Sequence, residues 1–261
     1  MRKLSDYHFI NTWIESHIGR IELNRPQVLN ALNRKMIGEI IDCLMAFDQS
    51  EEVKVIVLSG AGKAFAAGAD INEMADDTPI TMEKINQFED WDKIHLIKKP
   101  ILSSIQGFAL GGGFELVLCS DVVFAAEQTK LGFPEVNLGV MPSAGGTVKL
   151  TKAVGNRRAL EWLWTGDQMD AELAYQYGLI NRILPPELLV EETMKFARIL
   201  AAKAPLALRL IKDTVHKAQD LSVYESMQYE RKNFYLLFDS EDQKEGMRAF
   251  REKRPPSFIG R

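Results

Sequence analysis

Cysteine is almost absent from this chain of 261 residues, with Cys43 and Cys119 the only two. They are too few and too far apart for a disulfide framework or a thiolate zinc cluster. They read instead as buried free thiols, which fits a reducing compartment and a cytoplasmic protein. Histidine is equally sparse: His8, His17, His95 and His216 show no zinc-protease spacing, so no metal site is expected. No serine sits in a Gly-x-Ser-x-Gly elbow, which removes the usual signal of a serine nucleophile. Neither sign of charge dominates, since 32 Lys and Arg stand against 36 Asp and Glu for a net charge of -4. A whole-protein footprint for nucleic acid is therefore not supported, although a local basic site for an anionic ligand stays open. A long apolar run is missing as well. The nearest to one, residues 101–126, is interrupted by Gln106, Glu115 and Asp121, so a buried strand-helix-strand is expected rather than a membrane span. The first eight residues hold no long apolar segment and include Asp6, so neither a secretory signal nor a transit peptide is expected.

What is present is a globular composition, 46% apolar, enough for one large domain or a domain with an appended subdomain. Residues 9–15 and 18–23 read as paired strands around a turn, and Asn24-Arg25-Pro26 punctuates the pattern. Met36, Ile37, Ile40, Ile41, Leu44 and Met45 recur at helical spacing behind Asn33, a good cap. Residues 53–58 read as a buried strand. Asp70 with Glu73 resembles a capping box opening a short helix after the small-residue loop 60–70. Residues 81–97 read as helix, 101–105 as strand, the triple glycine 111–113 as the opening of a helix toward Cys119, and 122–126 as strand. Strand and helix thus alternate, which argues for a layered α/β core. Beyond Ile183 the periodicity is helical over 187–203, 205–217, 223–238 and 241–253.

Two glutamates stand out against this background. Glu115 closes Ala109-Leu110-Gly111-Gly112-Gly113-Phe114-Glu115, and Glu135 closes Leu131-Gly132-Phe133-Pro134-Glu135. An ionised carboxylate in so apolar a neighbourhood is costly unless hydrogen-bonded or paired. Taken singly, each has a plain structural account: Glu115 as a first-turn acid satisfying a backbone N–H, Glu135 as a structural carboxylate after Pro134. Taken together they suggest general acid and base work. A glycine before a helix leaves N–H groups pointing outward at the positive end of the helix dipole. Gly111–Gly113 and the Gly68-Ala69-Asp70 turn offer two such starts, and two N–H groups converging on one oxygen would form an oxyanion hole. Gly62-Lys63 invites a phosphate-loop reading, but Val57 and Ala64 stand where that motif needs Gly and Ser or Thr.

These motifs, in this order, resemble the enoyl-CoA hydratase, or crotonase, family along essentially the whole chain. They are Leu23-Asn24-Arg25-Pro26 with Asn30-Ala31-Leu32, then residues 64–71, Ala109 to Glu115, Pro134-Glu135 and Gly145-Gly146-Thr147. The resemblance implies a spiral α/β core of repeated strand-strand-helix units over residues 1–195. It also implies a C-terminal helical trimerisation region over 196–261. It puts the oxyanion donors on the backbone N–H groups of Ala69 and Gly112 and the two hydratase acids on Glu115 and Glu135, with Glu135 delivering a proton to C2 and Glu115 acting on water. Coenzyme A contacts fall on Ala66, Ala67, Gly68, Ala69, Asp70, Ile71 and Gly112.

The implied reaction is hydration of a trans-2-enoyl-CoA to a 3-hydroxyacyl-CoA. Coenzyme A enters as part of the substrate and no separate cofactor is expected. The implied assembly is a homotrimer or a hexamer of paired trimers, with no nucleic acid and no membrane. A double-bond isomerase using the same hole and one acid is the nearest rival, and an RNA-binding family member is the rival outside enzymes. Leu131, Phe133 and Ser143 depart from common family residues and are expected to reshape the acyl pocket. Residues 74–88, Trp91, Trp162 and Trp164 are further pocket candidates, with core packing the plainer role for each tryptophan. Basic residues of the segment 251–258 are candidates to approach coenzyme A phosphate in a neighbouring subunit, or form a solvated charge run.

Overall fold

The computed structural model describes residues 7–261; residues 1–6, on which most of the N-terminal reading falls, lie outside them. Strands β1 (Ile10–Glu15) and β2 (Ile18–Leu23) pair antiparallel. Their two-residue turn holds Ser16 and His17 at φ 51° and 64°, the left-handed pair that matches a tight hairpin to the twist of its strands. Helix α1 (Arg34–Gln49) follows. Asn33 caps it, its side-chain oxygen accepting the Met36 N–H at 2.8 Å, and Met36, Ile37, Ile40, Ile41, Leu44 and Phe47 face inward. Strand β3 (Val55–Gly60) is buried at every position, as a central parallel strand covered on both faces must be.

The chain continues through α2 (Pro79–Ile85), α3 (Phe88–Lys93), β4 (Ile101–Ile105), β5 (Phe108–Leu110), α4 (Gly112–Leu118), β6 (Val122–Ala126) and β7 (Lys130–Gly132). It then passes through α5 (Gly146–Val154), α6 (Asn156–Thr165), β8 (Gln168–Asp170), α7 (Ala171–Gln176) and β9 (Arg182–Leu184). Four helices close it: α8 (Pro186–Ala201), α9 (Pro205–Lys217), α10 (Val223–Leu237) and α11 (Glu241–Glu252).

Six strands form one sheet in the order β1-β2-β3-β4-β6-β9, parallel throughout except for β1 with β2. A second sheet holds β5-β7-β8. Each winding lays a strand in the large sheet and a three-residue strand in the small one, β4 then β5 and β6 then β7. Single bridges join Leu32 to Ala69 and Ala66 to Ala109. This is the expected spiral of strand-strand-helix units. Helices α1 and α3 close one face of the large sheet. On the other face Met194, Ala197 and Ala201 of α8 pack on Ile18, Val55, Val57 and Leu102.

Several local expectations change. The helix read over 81–97 is two short helices and a 3-10 turn at Ile94–Leu96, the first break coming where Asn86 adopts φ 46° at the end of α2. The Asp70–Glu73 capping box does not form: the Asp70 side chain caps nothing, residues 71–73 make a single 3-10 turn, and the Glu73 carboxylate accepts the Arg34 N–H at 2.8 Å. A boundary at residue 195 falls inside α8, which runs unbroken to Ala201 against the sheet. Trp91 and Trp162 are buried, whereas Trp164 is 72% exposed and packs in no core. Leu131 and Phe133 are fully buried, with Phe133 tilted against Phe114 at 4.8 Å between ring centres. They pack the core behind the site instead of opening onto it.

Replacing the α1 cap by Asn33→Ala is expected to lower stability by about 1 kcal/mol, seen as a lower urea midpoint at unchanged slope.

Candidate active site

The site begins where β5 ends. Gly111 turns the chain at φ 50°, ψ -126°, a conformation open to glycine because it has no β-carbon. A β-carbon at Gly111 would lie 2.8 Å from Glu135 Oε1, and one at Gly113 would lie 2.4 Å from the Ala66 carbonyl oxygen. The start of α4 is thus pressed against the Ala66–Ala69 segment more closely than any side chain permits. A β-carbon at Gly112 would stand 3.9 Å from Ala69 N, with Leu32 Cδ1 at 3.4 Å and Trp91 Cζ2 at 3.8 Å. Gly112 and the Ala69 amide are therefore neighbours, in a setting walled by Leu32 and Trp91.

Neither N–H group has an acceptor among the described residues. Gly112 is the first residue of α4, so its N–H has no acceptor within the helix. Ala69 reaches the same condition by a different route from the helix start expected of it. Leu32 donates its N–H to the Gly68 carbonyl at 2.8 Å and accepts the Asp70 N–H at 2.9 Å. In that parallel pairing the N–H of the intervening Ala69 points away from Leu32. Within the segment expected to meet coenzyme A, Ala69 and Ile71 are exposed, while Ala67 and Asp70 are half-buried. Gly68 is buried. Ala66 is also buried, and its N–H and carbonyl are both taken, by Phe108 O at 2.9 Å and Leu110 N at 3.0 Å. Its backbone thus serves the packing of the two windings, with its only N–H donor already taken.

Glu115 is 4% exposed. It does not satisfy the first turn of its own helix. Its Oε1 reaches across to the start of α5, where it accepts the N–H groups of Ala144 at 2.7 Å and Gly146 at 2.9 Å. Burial raises its pKa, and these donors together with the Lys149 charge pull the other way. Lys149 is held close by, donating to Cys119 Sγ at 2.7 Å. Glu135 is differently placed, on a 3-10 turn at Pro134–Leu138. Its Oε2 is buried with no partner. Burial, with a smaller push from the Glu115 charge, raises its pKa to about 7. One acid is held by two fixed donors and the other has a free, buried oxygen that titrates near neutrality.

Two residues quoted only as part of a motif turn out to build the site. Asn30 is fully buried at φ 57°, and its side-chain amide donates to Ala61 O at 2.9 Å and Ala64 O at 2.8 Å. Arg25 donates to Ala31 O at 2.6 Å and to Asp70 Oδ2 at 3.0 Å. The presence of asparagine, the residue that best tolerates left-handed backbone after glycine, is the one sequence signal that could have marked position 30. In the C-terminal tail Arg254 pairs with Glu245 and Glu252, so within this chain its charge is already matched.

A spiral core that sets two free amides beside a buried and a half-buried acid is the architecture of crotonase-type enzymes. The chain belongs to the enoyl-CoA hydratase/isomerase family, whose sequence model matches residues 14–261. A probable enoyl-CoA hydratase of Mycobacterium tuberculosis is 40% identical over 247 residues, 95% of this chain and 96% of its own. The mitochondrial enoyl-CoA hydratase of Pongo abelii is 40% identical over 241 residues, covering 92% and 83%. The crystal structure of enoyl-CoA hydratase subunit I from Geobacillus kaustophilus superposes with a TM-score of 0.96 at 59% identity, over 98% of this chain and 100% of that one.

Gly113→Ala is expected to destabilise the protein by about 1–3 kcal/mol, because its β-carbon collides with backbone that cannot swing aside. Urea unfolding measures this, and an unchanged midpoint would mean that the approach of α4 to Ala66 is looser than described.

Proposed function

We propose that the protein is an enoyl-CoA hydratase that adds water across the 2,3 double bond of a trans-2-enoyl-CoA, giving a 3-hydroxyacyl-CoA. The observation that carries this reading is the juxtaposition of two unused backbone amides, Ala69 and Gly112, with a buried acid, Glu115, and a half-buried one, Glu135, in different protonation environments. The thioester oxygen accepts from both amides. Water lies between the acids: Glu115, ionised, takes a proton from it as oxygen bonds to C3. The electron pair of the double bond moves toward C2 and the thioester oxygen. Glu135, protonated, gives its proton to C2 as the enolate collapses. Glu115 ends protonated and Glu135 ionised, and the pair returns to its starting state by exchanging one proton.

The amides act on charge that appears only as the enolate forms, so their contribution is greatest at the transition state and amounts to roughly 3–4 kcal/mol per donor. The environments fit the division of labour. Glu135, near pH 7, can hold a proton and part with it. Burial raises the pKa of Glu115 as well, but its two N–H donors and the Lys149 charge oppose that rise and stabilise the carboxylate when it forms. Coenzyme A enters with the substrate, and Ala67, Gly68, Ala69, Asp70 and Ile71 supply its nearest backbone.

The C-terminal helices support a homotrimer or a pair of trimers, since Ile211, Val215, Tyr224, Tyr235 and Phe250 are 56–85% exposed on them. Light scattering is expected to give three or six times the 29.5 kDa of the chain. Among the described residues no helix is long and apolar enough to cross a membrane. The two cysteines are free thiols, which fits the reducing setting of a cytoplasmic protein.

Glu115→Gln and Glu135→Gln are each expected to cut hydration of crotonyl-CoA by about 10²–10⁴-fold with thioester binding retained. A mild effect at one site, with the double bond shifting instead of taking up water, would identify a one-acid isomerase. The working pair must hold a single proton. As pH rises through about 7 that proton leaves Glu135, so kcat/KM is expected to fall. The fall should be the same for hydration and for dehydration, because the overall equilibrium releases no proton.

A further inference from the structure

We infer that Arg25 is the positioning residue for the Ala69 N–H, an inference that rests on the reading of Ala69 as a donor to the thioester oxygen. The residues on either side of the Leu32–Ala69 bridge carry the geometry. Ala31 precedes Leu32 on one strand, and Asp70 follows Ala69 on the other. The guanidinium of Arg25 spans both, with Nη1 donating to the Ala31 carbonyl at 2.6 Å and Nη2 to Asp70 Oδ2 at 3.0 Å. Both charged side chains are largely withdrawn from solvent, at 14% and 17% exposure, so the contact is not a screened surface pair.

Arg25 is itself fixed. Its N–H donates to Asn30 Oδ1 at 2.8 Å, its carbonyl accepts the Asn30 N–H at 2.9 Å, and its guanidinium lies 5.5 Å from the centre of the Phe9 ring. The crosslink therefore ties a rigid turn to the residue immediately after the donor.

Asp70 explains why such a tie is needed. It occupies the cap position of the 3-10 turn at Ile71–Glu73, yet its side chain makes no cap bond because Arg25 holds it. Without Arg25 the carboxylate is free to turn to the N–H groups of that turn, the ordinary behaviour of aspartate at a cap. With Asp70 drawn toward that turn, the Gly68–Ala69 peptide plane, which carries the Ala69 N–H and is held on its other side by the Leu32 N–H on Gly68 O at 2.8 Å, would tilt and re-aim the donor. Two diverging N–H groups on one planar head perform the task; an ammonium can satisfy one acceptor well but not both in fixed geometry.

The test uses Arg25→Met, Arg25→Lys, Asp70→Asn and the double variant Arg25→Met with Asp70→Asn. The probe is 4-(dimethylamino)cinnamoyl-CoA, a conjugated thioester whose absorption moves to longer wavelength when its carbonyl oxygen is polarised. In Arg25→Met the bound probe is expected to lose at least half of its red shift. With crotonyl-CoA, kcat should fall about 10- to 100-fold while KM stays within a few fold. Lysine should restore part of the shift, Asp70→Asn should match Arg25→Met, and the double variant should be no worse than either single one.

A variant that keeps the full shift and kcat while melting earlier would overturn the inference and leave Arg25 as a prop for the loop. If Arg25→Met does not fold, Asp70→Asn decides by the same readings. A parent protein that shifts the probe without hydrating crotonyl-CoA would refute the hydratase reading and leave this one standing. A parent that binds the probe with no shift would refute this one.

Discussion

The start of α4 runs against Ala66–Ala69 so closely that no β-carbon fits at Gly113. A side chain at Gly113 would meet the Ala66 carbonyl at 2.4 Å, and one at Gly111 would meet the Glu135 carboxylate at 2.8 Å. This contact joins two windings of the spiral, since the Ala66–Ala109 bridge lies directly beneath it. Because α4 starts there, the Gly112 N–H emerges beside the Ala69 amide. Glu115, one turn further along α4, is carried into the buried space that faces α5. The short strands, the positive φ of Gly111 and the Arg25 crosslink all serve to hold that one approach.

The same packing separates the chemistry of the two acids. Both lose water, which alone would raise both pKa values. In Glu115 burial still wins, but the rise is opposed by two N–H groups from residues 144 and 146 and by the Lys149 charge. Glu135 keeps one oxygen buried and unpartnered and rises to about 7. A buried oxygen without a partner costs stability. In the proposed reaction Glu135 delivers the C2 proton, so a local defect in stability would coincide with the residue of proton delivery.

Much of this was legible before any coordinates. The apolar runs of β3, β4 and β6, the alternation of β1 and β2, the Asn33 cap and the four C-terminal helices were clear because each is specified by residues within a few positions of one another. The strands β5, β7 and β8 were not, being three residues each and too short to show a period. Asp70 was misread because its cap signal is local while its actual partner, Arg25, is 45 residues away. Likewise the acceptor role of Glu115 was hidden, its donors lying 29 and 31 residues downstream. The acids and glycines of the site could be named from the sequence. What each one touches is set by long-range packing that no local pattern encodes.

The central claim is that Glu135 moves the C2 proton and Glu115 handles water over one shared oxyanion hole. Exchange of the C2 hydrogens of saturated butyryl-CoA in D2O isolates the first half, since no water is added. The account predicts that the parent protein and Glu115→Gln both incorporate deuterium at C2, while Glu135→Gln does not. Incorporation by Glu135→Gln at the parent rate, or its loss in Glu115→Gln alone, would contradict the assignment.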